Sequence, residues 1–159
     1  MMFDDLRELY QEVILDHGKN PRNYGILEGA NRLARGDNPV CGDRITIFLK
    51  IGDNDLIEEA RFDGRGCAIS TASASMMTEI VRGKTVPEVQ ALFASFHDMC
   101  TKDDCDLQAH AEADPDAVER LQVLSGVRQF PVRVKCATLA WHTLNAAVEN
   151  GEMTTVSTE

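Results

Sequence analysis

The sequence predicts an α+β domain: a small antiparallel sheet of about three strands packed against five or so helices. Two observations carry the sheet. Ile45, Ile47, Leu49 and Ile51 alternate with Arg44, Thr46, Phe48 and Lys50, the period of a half-buried strand. Gly52-Asp53-Asn54-Asp55 then turns the chain back into Ile57, Ala60 and Phe62, and so short a connection makes the pair antiparallel. A third observation supplies the helices: runs with apolar residues three and four apart stand before and after this hairpin. The 159 residues suit one domain with one core.

In chain order, Leu6, Leu9, Tyr10, Val13 and Ile14 form the apolar face of a first helix, capped by Asp4 or Asp5 and ending near His17-Gly18. Asn20-Pro21-Arg22-Asn23-Tyr24-Gly25 opens a loop that reaches Asn38-Pro39, with a short edge strand expected within Arg32 to Gly36. In the hairpin the alternation slips once, which places a bulge near Glu58-Glu59. Ile69, Ala72, Ser73, Met76 and Ile80 line a helix closed by Gly83. Thr85-Val86-Pro87-Glu88 starts the next with a cap, a proline in the first turn and a glutamate three after the threonine. From His97 to Ala113 no period survives, so 97–113 is expected to be an exposed insertion loop. Asp114-Pro115 to Gly126 reads as a further helix, and Phe130-Pro131 as extended backbone. A last helix carries Leu139 or Ala140, Trp141, Leu144 and Val148, and 152–159 is expected to be a flexible tail.

Composition narrows the function. A formal charge of −10 excludes non-specific nucleic-acid binding, which needs clustered Lys and Arg. It suits a protein that meets a basic partner surface. No apolar run approaches the length of a membrane span, and the acidic Met1-Met2-Phe3-Asp4-Asp5 start lacks a signal-peptide pattern. The expectation is a cytoplasmic protein. In a reducing compartment five cysteines are metal ligands or reactive thiols before they are disulfide partners.

Three of those cysteines stand at element ends. Cys41 and Asp43 are two apart where a strand begins, so both point to one side. Cys67 follows Gly64-Arg65-Gly66 at the seam of strand and helix, and the antiparallel return brings it beside the start of the first hairpin strand. Cys136 follows Arg133-Val134-Lys135, just before the last helix. Cys41, Asp43, Cys67 and Cys136 match the four ligands of a closed zinc site, and a helix N-terminus favours a thiolate at Cys67 and Cys136. Singly, each cysteine serves equally well as a small buried apolar side chain, and spacing leaves both readings open.

Four segments go further: Asp16-His17 with Lys19-Asn20-Pro21-Arg22-Asn23; Asn38-Pro39-Val40-Cys41-Gly42-Asp43; Gly64-Arg65-Gly66-Cys67-Ala68-Ile69-Ser70 with Ala72-Ser73-Ala74-Ser75-Met76-Met77; and Phe130-Pro131-Val132-Arg133-Val134-Lys135-Cys136-Ala137-Thr138-Leu139-Ala140-Trp141. In this order they resemble the U-type iron–sulfur cluster assembly proteins, the IscU/NifU N-terminal-like family, over roughly residues 6–150. The resemblance is closer to the SufU branch than to the IscU scaffold branch. Scaffold members carry a histidine where Lys135 stands, and the insertion from about His97 to Asp114 resembles the longer SufU one.

The resemblance implies a SufE/NifU-like fold with metal ligands at Cys41, Asp43, Cys67 and Cys136. It also implies Zn2+ as cofactor, with a [2Fe-2S] cluster as the alternative. Cys41 would be the catalytic residue, a thiolate that takes persulfide sulfur from a PLP-dependent cysteine desulfurase of the SufS kind and passes it to downstream Fe-S assembly proteins. The chain would then be a sulfurtransferase-like partner of that desulfurase rather than a stand-alone enzyme. Arg133 and Lys135 would steer the partner, or are ordinary solvated charges. A scaffold holding a transient [2Fe-2S] cluster on the same ligands is the alternative function, and a zinc-stabilised protein-interaction module is one of another class.

Two further patterns stand in the sequence. Gly64-x-Gly66 is not a dinucleotide fingerprint, because Ile69 occupies the third glycine position and the preceding strand is antiparallel. His97, Cys100, Cys105 and His110 have the ligand types of a zinc knuckle, against which stands a solvated acidic loop with incidental cysteines, the favoured reading. His17 and His142 are expected to be packed or solvated rather than ligands, and His17, near a helix C-terminus, to have no catalytic role.

Overall fold

The computed structural model describes residues 12–38, 42–101, 121, 124, 131–150 and 154–157. Four helices and four strands lie among them: α1 (12–19), β1 (Arg32–Asn38), β2 (Asp43–Ile51), β3 (Ile57–Arg65), α2 (Ala68–Val81), α3 (Val86–Thr101), α4 (Pro131–Asn150) and β4 (Thr154–Ser157). The sheet order is β3-β2-β1-β4, antiparallel except for the parallel β1–β4 pair.

The hairpin forms as its alternation requires. Ile45, Ile47 and Leu49 of β2 are buried, as are Ile57, Ala60 and Phe62 of β3. Lys50 pairs with Glu59 and Ile51 with Ile57, so Glu58 is the extra residue of the expected bulge. The turn is tighter than a simple loop: Asp53–Asp55 form a 3-10 turn, with Asn54 and Asp55 both in the left-handed region. Arg44 faces Arg65 across the pair, so the antiparallel return sets Asp43 beside the segment leading to Cys67.

Four expectations are corrected. The strand within Arg32 to Gly36 runs on to Asn38 and is no edge, because β4 covers Ala34 to Asp37 on its other side. Residues 154–157, expected as tail, are that strand: β1 leaves a row of unpaired backbone groups, and the Thr154–Ser157 segment satisfies it. Residues 97–101, expected in the insertion loop, continue α3, where Phe93 and Phe96 anchor the helix on Trp141. Of the Phe130-Pro131 stretch expected as extended, Pro131 is instead the first residue of the last helix, a position where its missing N–H costs nothing, and Phe130 lies outside the described residues. Residues 102–113 of the insertion, and most of the 114–126 helix, lie outside the described residues.

The core lies between the inner sheet face and α2, α3 and α4. Trp141 is wholly buried, stacked on Phe96 at 5.1 Å between ring centroids. Burying each large apolar side chain of this kind contributes about 1.5–3 kcal/mol. The helix α2 is buried nearly all round, and its small residues let it approach α4 closely: Ser73 Oγ donates to the Ala137 carbonyl at 2.5 Å. Gly36 serves the same end, since a Cβ there would collide with Thr143 Oγ1 on α4. These close approaches fix α4 over β1, and with it the position of Cys136.

Candidate metal centre

Three elements end at one place. Asp43 is the first residue of β2 and is 1% exposed. Cys67 is the N-cap of α2, its backbone extended, and its Sγ accepts the Ser70 N–H at 3.4 Å. The Cys67 N–H donates to Asp43 Oδ1 at 3.0 Å, while Cys67 Sγ lies 3.9 Å from Asp43 Oδ2. Cys136 is 0% exposed. It sits in the second turn of α4 rather than before the helix, because Pro131 begins that helix earlier than expected.

Ligand atoms of Asp43, Cys67 and Cys136 all lie within 4.8 Å of one another. Bonds of about 2.0–2.3 Å to one tetrahedral ion put donor atoms about 3.3–3.8 Å apart. A contraction of about an ångström therefore closes these three donors on zinc. Two thiols and a carboxylate are also the donor types zinc takes, so residues and group fit. Cys41, expected as the fourth ligand and as the reactive thiol, lies outside the described residues.

Gly66 makes room for this arrangement. A Cβ there would stand 3.0 Å from Asp43 Oδ1 and 3.1 Å from Ser70 Oγ. Gly64, with φ of +137°, would drive a Cβ into the Arg44 carbonyl, so both glycines of the rejected nucleotide motif serve close packing at the strand end.

Arg133, exposed and one turn before Cys136, is held above its ordinary arginine pKa by thiolate charge at Cys67, then by a hydrogen bond to Cys136 and charge there. The guanidinium is thus a positive group beside two sulfurs.

His97, His142 and His17 stand apart from this cluster. His97 lies edge-on to Phe93 and His142, with ring centroids 6.1 and 5.7 Å away. The Cys100 side chain, Cys105 and His110 are outside the described residues. His142 is half-buried, and burial, then the charge of His97, lowers its pKa. His17 is buried, with Nδ1 2.7 Å from Ser75 Oγ.

Sequence reasoning missed Gly66 as a spacer, and Ser75, whose Oγ also accepts the Arg22 N–H at 2.8 Å. It also missed Asn38, read as a turn residue and found wholly buried. Period-2 counting from Ala34 through Gly36 places Asn38 on the inner face, a signal that was available.

A sheet backed by helices, with an aspartate and two cysteines meeting where strands and helices end, defines a small α+β domain with a candidate metal site. The chain belongs to the NifU-like N terminal domain family, whose model matches residues 9–114. It is 41% identical over 148 residues to the zinc-dependent sulfurtransferase SufU of Bacillus subtilis, covering 93% of this chain and 95% of that one. It is 40% identical over 149 residues to the iron–sulfur cluster assembly scaffold protein IscU of Streptococcus pyogenes, covering 94% and 88%. A crystal structure of a putative iron–sulfur cluster assembly scaffold protein for the SUF system of Fervidobacterium islandicum superposes with a TM-score of 0.75 at 32% identity, covering 87% and 95%. Among the described residues no helix is long and apolar enough to cross a membrane.

Proposed function

We propose that this protein accepts persulfide sulfur on Cys41 from a PLP-dependent cysteine desulfurase and passes it toward iron–sulfur cluster assembly, with zinc held by Cys41, Asp43, Cys67 and Cys136. The observation that carries this reading is the approach of Asp43, Cys67 and Cys136 donor atoms to within 4.8 Å. The similarity to a relative named a zinc-dependent sulfurtransferase supports it.

Zinc, when bound, keeps its thiolate ligands deprotonated at neutral pH. In the transfer, the Cys41 thiolate attacks the outer sulfur of the desulfurase persulfide. A Cys41 S–S bond forms, the donor S–S bond breaks, and the donor cysteine leaves as a thiolate with the bonding pair, so no outside oxidant or reductant is needed. Arg133 offers positive charge where an anionic persulfide arrives. Asp43, tied to the Cys67 N–H, is the hard ligand that keeps the sulfur set open to exchange.

The test is desulfurase turnover with and without this protein, zinc-loaded and zinc-stripped. Stimulation by the loaded form alone, abolished by Cys41→Ser, is the expected result. A visible-absorbing cluster transferable to apo-ferredoxin, with no stimulation, would favour the scaffold alternative, to which the IscU relative points. Unfolding on zinc removal with neither activity would leave the interaction module.

A further inference from the structure

Asn38 is 0% exposed, and neither its Nδ2 nor its Oδ1 has a hydrogen-bond partner among the described residues. Buried carboxamides are nearly always paired, so an orphan of this kind points to a partner supplied in another state of the protein. Its place in the fold says which. Asn38 is the last residue of β1, and its register partner in β2 is Asp43. Residues opposite in an antiparallel pair carry their side chains on one face, with Cβ atoms about 4.5–5.5 Å apart.

The helix above is equally well fixed. Two residues back on the same face, Gly36 lies against Thr143 and Leu139 of α4. A step of two strand residues is about 6.6 Å, the rise of about four helix residues. The chain of β1 runs toward the site while α4 runs away from it, so this step leads from Leu139 and Thr143 back to the turn that holds Cys136. Asn38, 0% exposed, is thus set on the face of Asp43 and toward the α4 turn that holds Cys136.

We propose that Asn38 is a positioning residue of the metal centre, whose Nδ2 protons are donated to the Asp43 carboxylate and the Cys136 thiolate when an ion draws those ligands together. This rests on the metal-site reading and extends it. Two anionic ligands in a dry site need donors to hold their orientation, and the carboxamide can turn to them without bringing charge of its own. Without the ion the amide has no bond among the described residues to lose. Its effect on folding should therefore have opposite signs in the two states.

The experiment compares wild type with Asn38→Leu, an apolar near-isostere, and Asn38→Ala, which adds no bulk if leucine fails to fold. Zinc affinity is read by competition with a chromophoric chelator, thermal stability on metal-free protein, and ligand geometry from the cobalt(II) charge-transfer and ligand-field bands. Expected are a zinc Kd raised about 10–100-fold, a shifted cobalt spectrum, and a metal-free melting temperature equal to or above that of wild type. The same substitution in an Asp43→Ala background should have a much smaller effect on Kd, since one of its acceptors is gone. Zinc affinity within about threefold of wild type, or a metal-free form destabilised while the cobalt spectrum stays unchanged, overturns the assignment and leaves Asn38 a packing residue. Wild-type protein that takes up no zinc overturns the metal-site reading itself, a separate result.

Discussion

Asp43 and Cys67 are joined across 24 residues of sequence: the Cys67 N–H donates to Asp43 Oδ1 at 3.0 Å, and Cys67 Sγ lies 3.9 Å from Asp43 Oδ2. One carboxylate oxygen thus holds the N-cap of α2 while the other faces its sulfur. Because Asp43 is 1% exposed, its charge is a cost in the metal-free protein and an asset once a cation arrives.

Asp43→Asn separates those two effects. The amide oxygen still accepts the Cys67 N–H, so the strand–helix junction survives. Metal-free protein should melt at or above the wild-type temperature, while zinc affinity falls about tenfold or more, no less than the loss of an outer-shell partner would cost. Calorimetry on metal-free protein and chelator competition together check it. A variant that binds zinc as wild type does would remove Asp43 from the ligand set.

Gly66→Ala tests the space beside that carboxylate. The added Cβ would meet Asp43 Oδ1 at 3.0 Å, and that oxygen is already committed to the Cys67 N–H, so it cannot yield freely. A loss of about 1–3 kcal/mol is expected from overpacking, with weaker zinc binding. Gly18→Ala is the contrast. In α1 its Cβ would meet Ala68 Cβ at an ordinary 3.4 Å, so a gain of about 0.5–1 kcal/mol is expected from the lower helix cost of alanine. Urea unfolding midpoints of the two variants should move in opposite directions.

Ser75→Ala should detach the N-terminal segment from α2. The Ser75 Oγ accepts the Arg22 N–H at 2.8 Å and stands 2.7 Å from His17 Nδ1. On its other side the His17 ring has Nε2 4.0 Å from Glu79 Oε1. Alanine removes both bonds and takes the acceptor from a partly buried backbone N–H, a loss of about 1–3 kcal/mol. Hydrogen exchange should quicken in residues 12–25 before it does in β2. Equal protection in the variant would show that the hydroxyl is not what anchors the segment.

How far the sequence reaches depends on whether a signal is local. The β2–β3 hairpin was legible because side-chain alternation and a four-residue turn sit side by side, and the meeting of Asp43 with the Cys67 segment followed from antiparallel return alone. Pro131 was misread because its fixed φ suits both a helix start and an extended stretch, and only the packing of α4 on β1 decides between them. β4 was invisible for a similar reason. Its partner, β1, lies more than a hundred residues earlier, and Thr154–Ser157 has no apolar alternation to announce a strand. In His97 to Thr101 polar residues hid a helix whose hold on the core comes from Phe93 and Phe96 one turn before.

Acid should weaken the fold through His142. Burial first, and the charge of His97 second, lower its pKa in the folded protein. Its ring lies edge-on to Phe93 at 5.0 Å and to His97 at 5.7 Å, where an imidazolium is poorly solvated. In the unfolded chain the same histidine titrates near its ordinary value of about 6.5. As pH falls below that value the unfolded state takes up a proton that the folded state refuses, so stability drops. The contribution is complete above about pH 6.5 and is lost downward until the depressed folded pKa is passed. Melting temperatures of metal-free protein from about pH 8 to about pH 5 should fall less steeply in His142→Gln than in wild type, and His97→Gln should recover the smaller share due to charge repulsion. Parallel curves for wild type and His142→Gln would mean that the acid sensitivity lies in other groups.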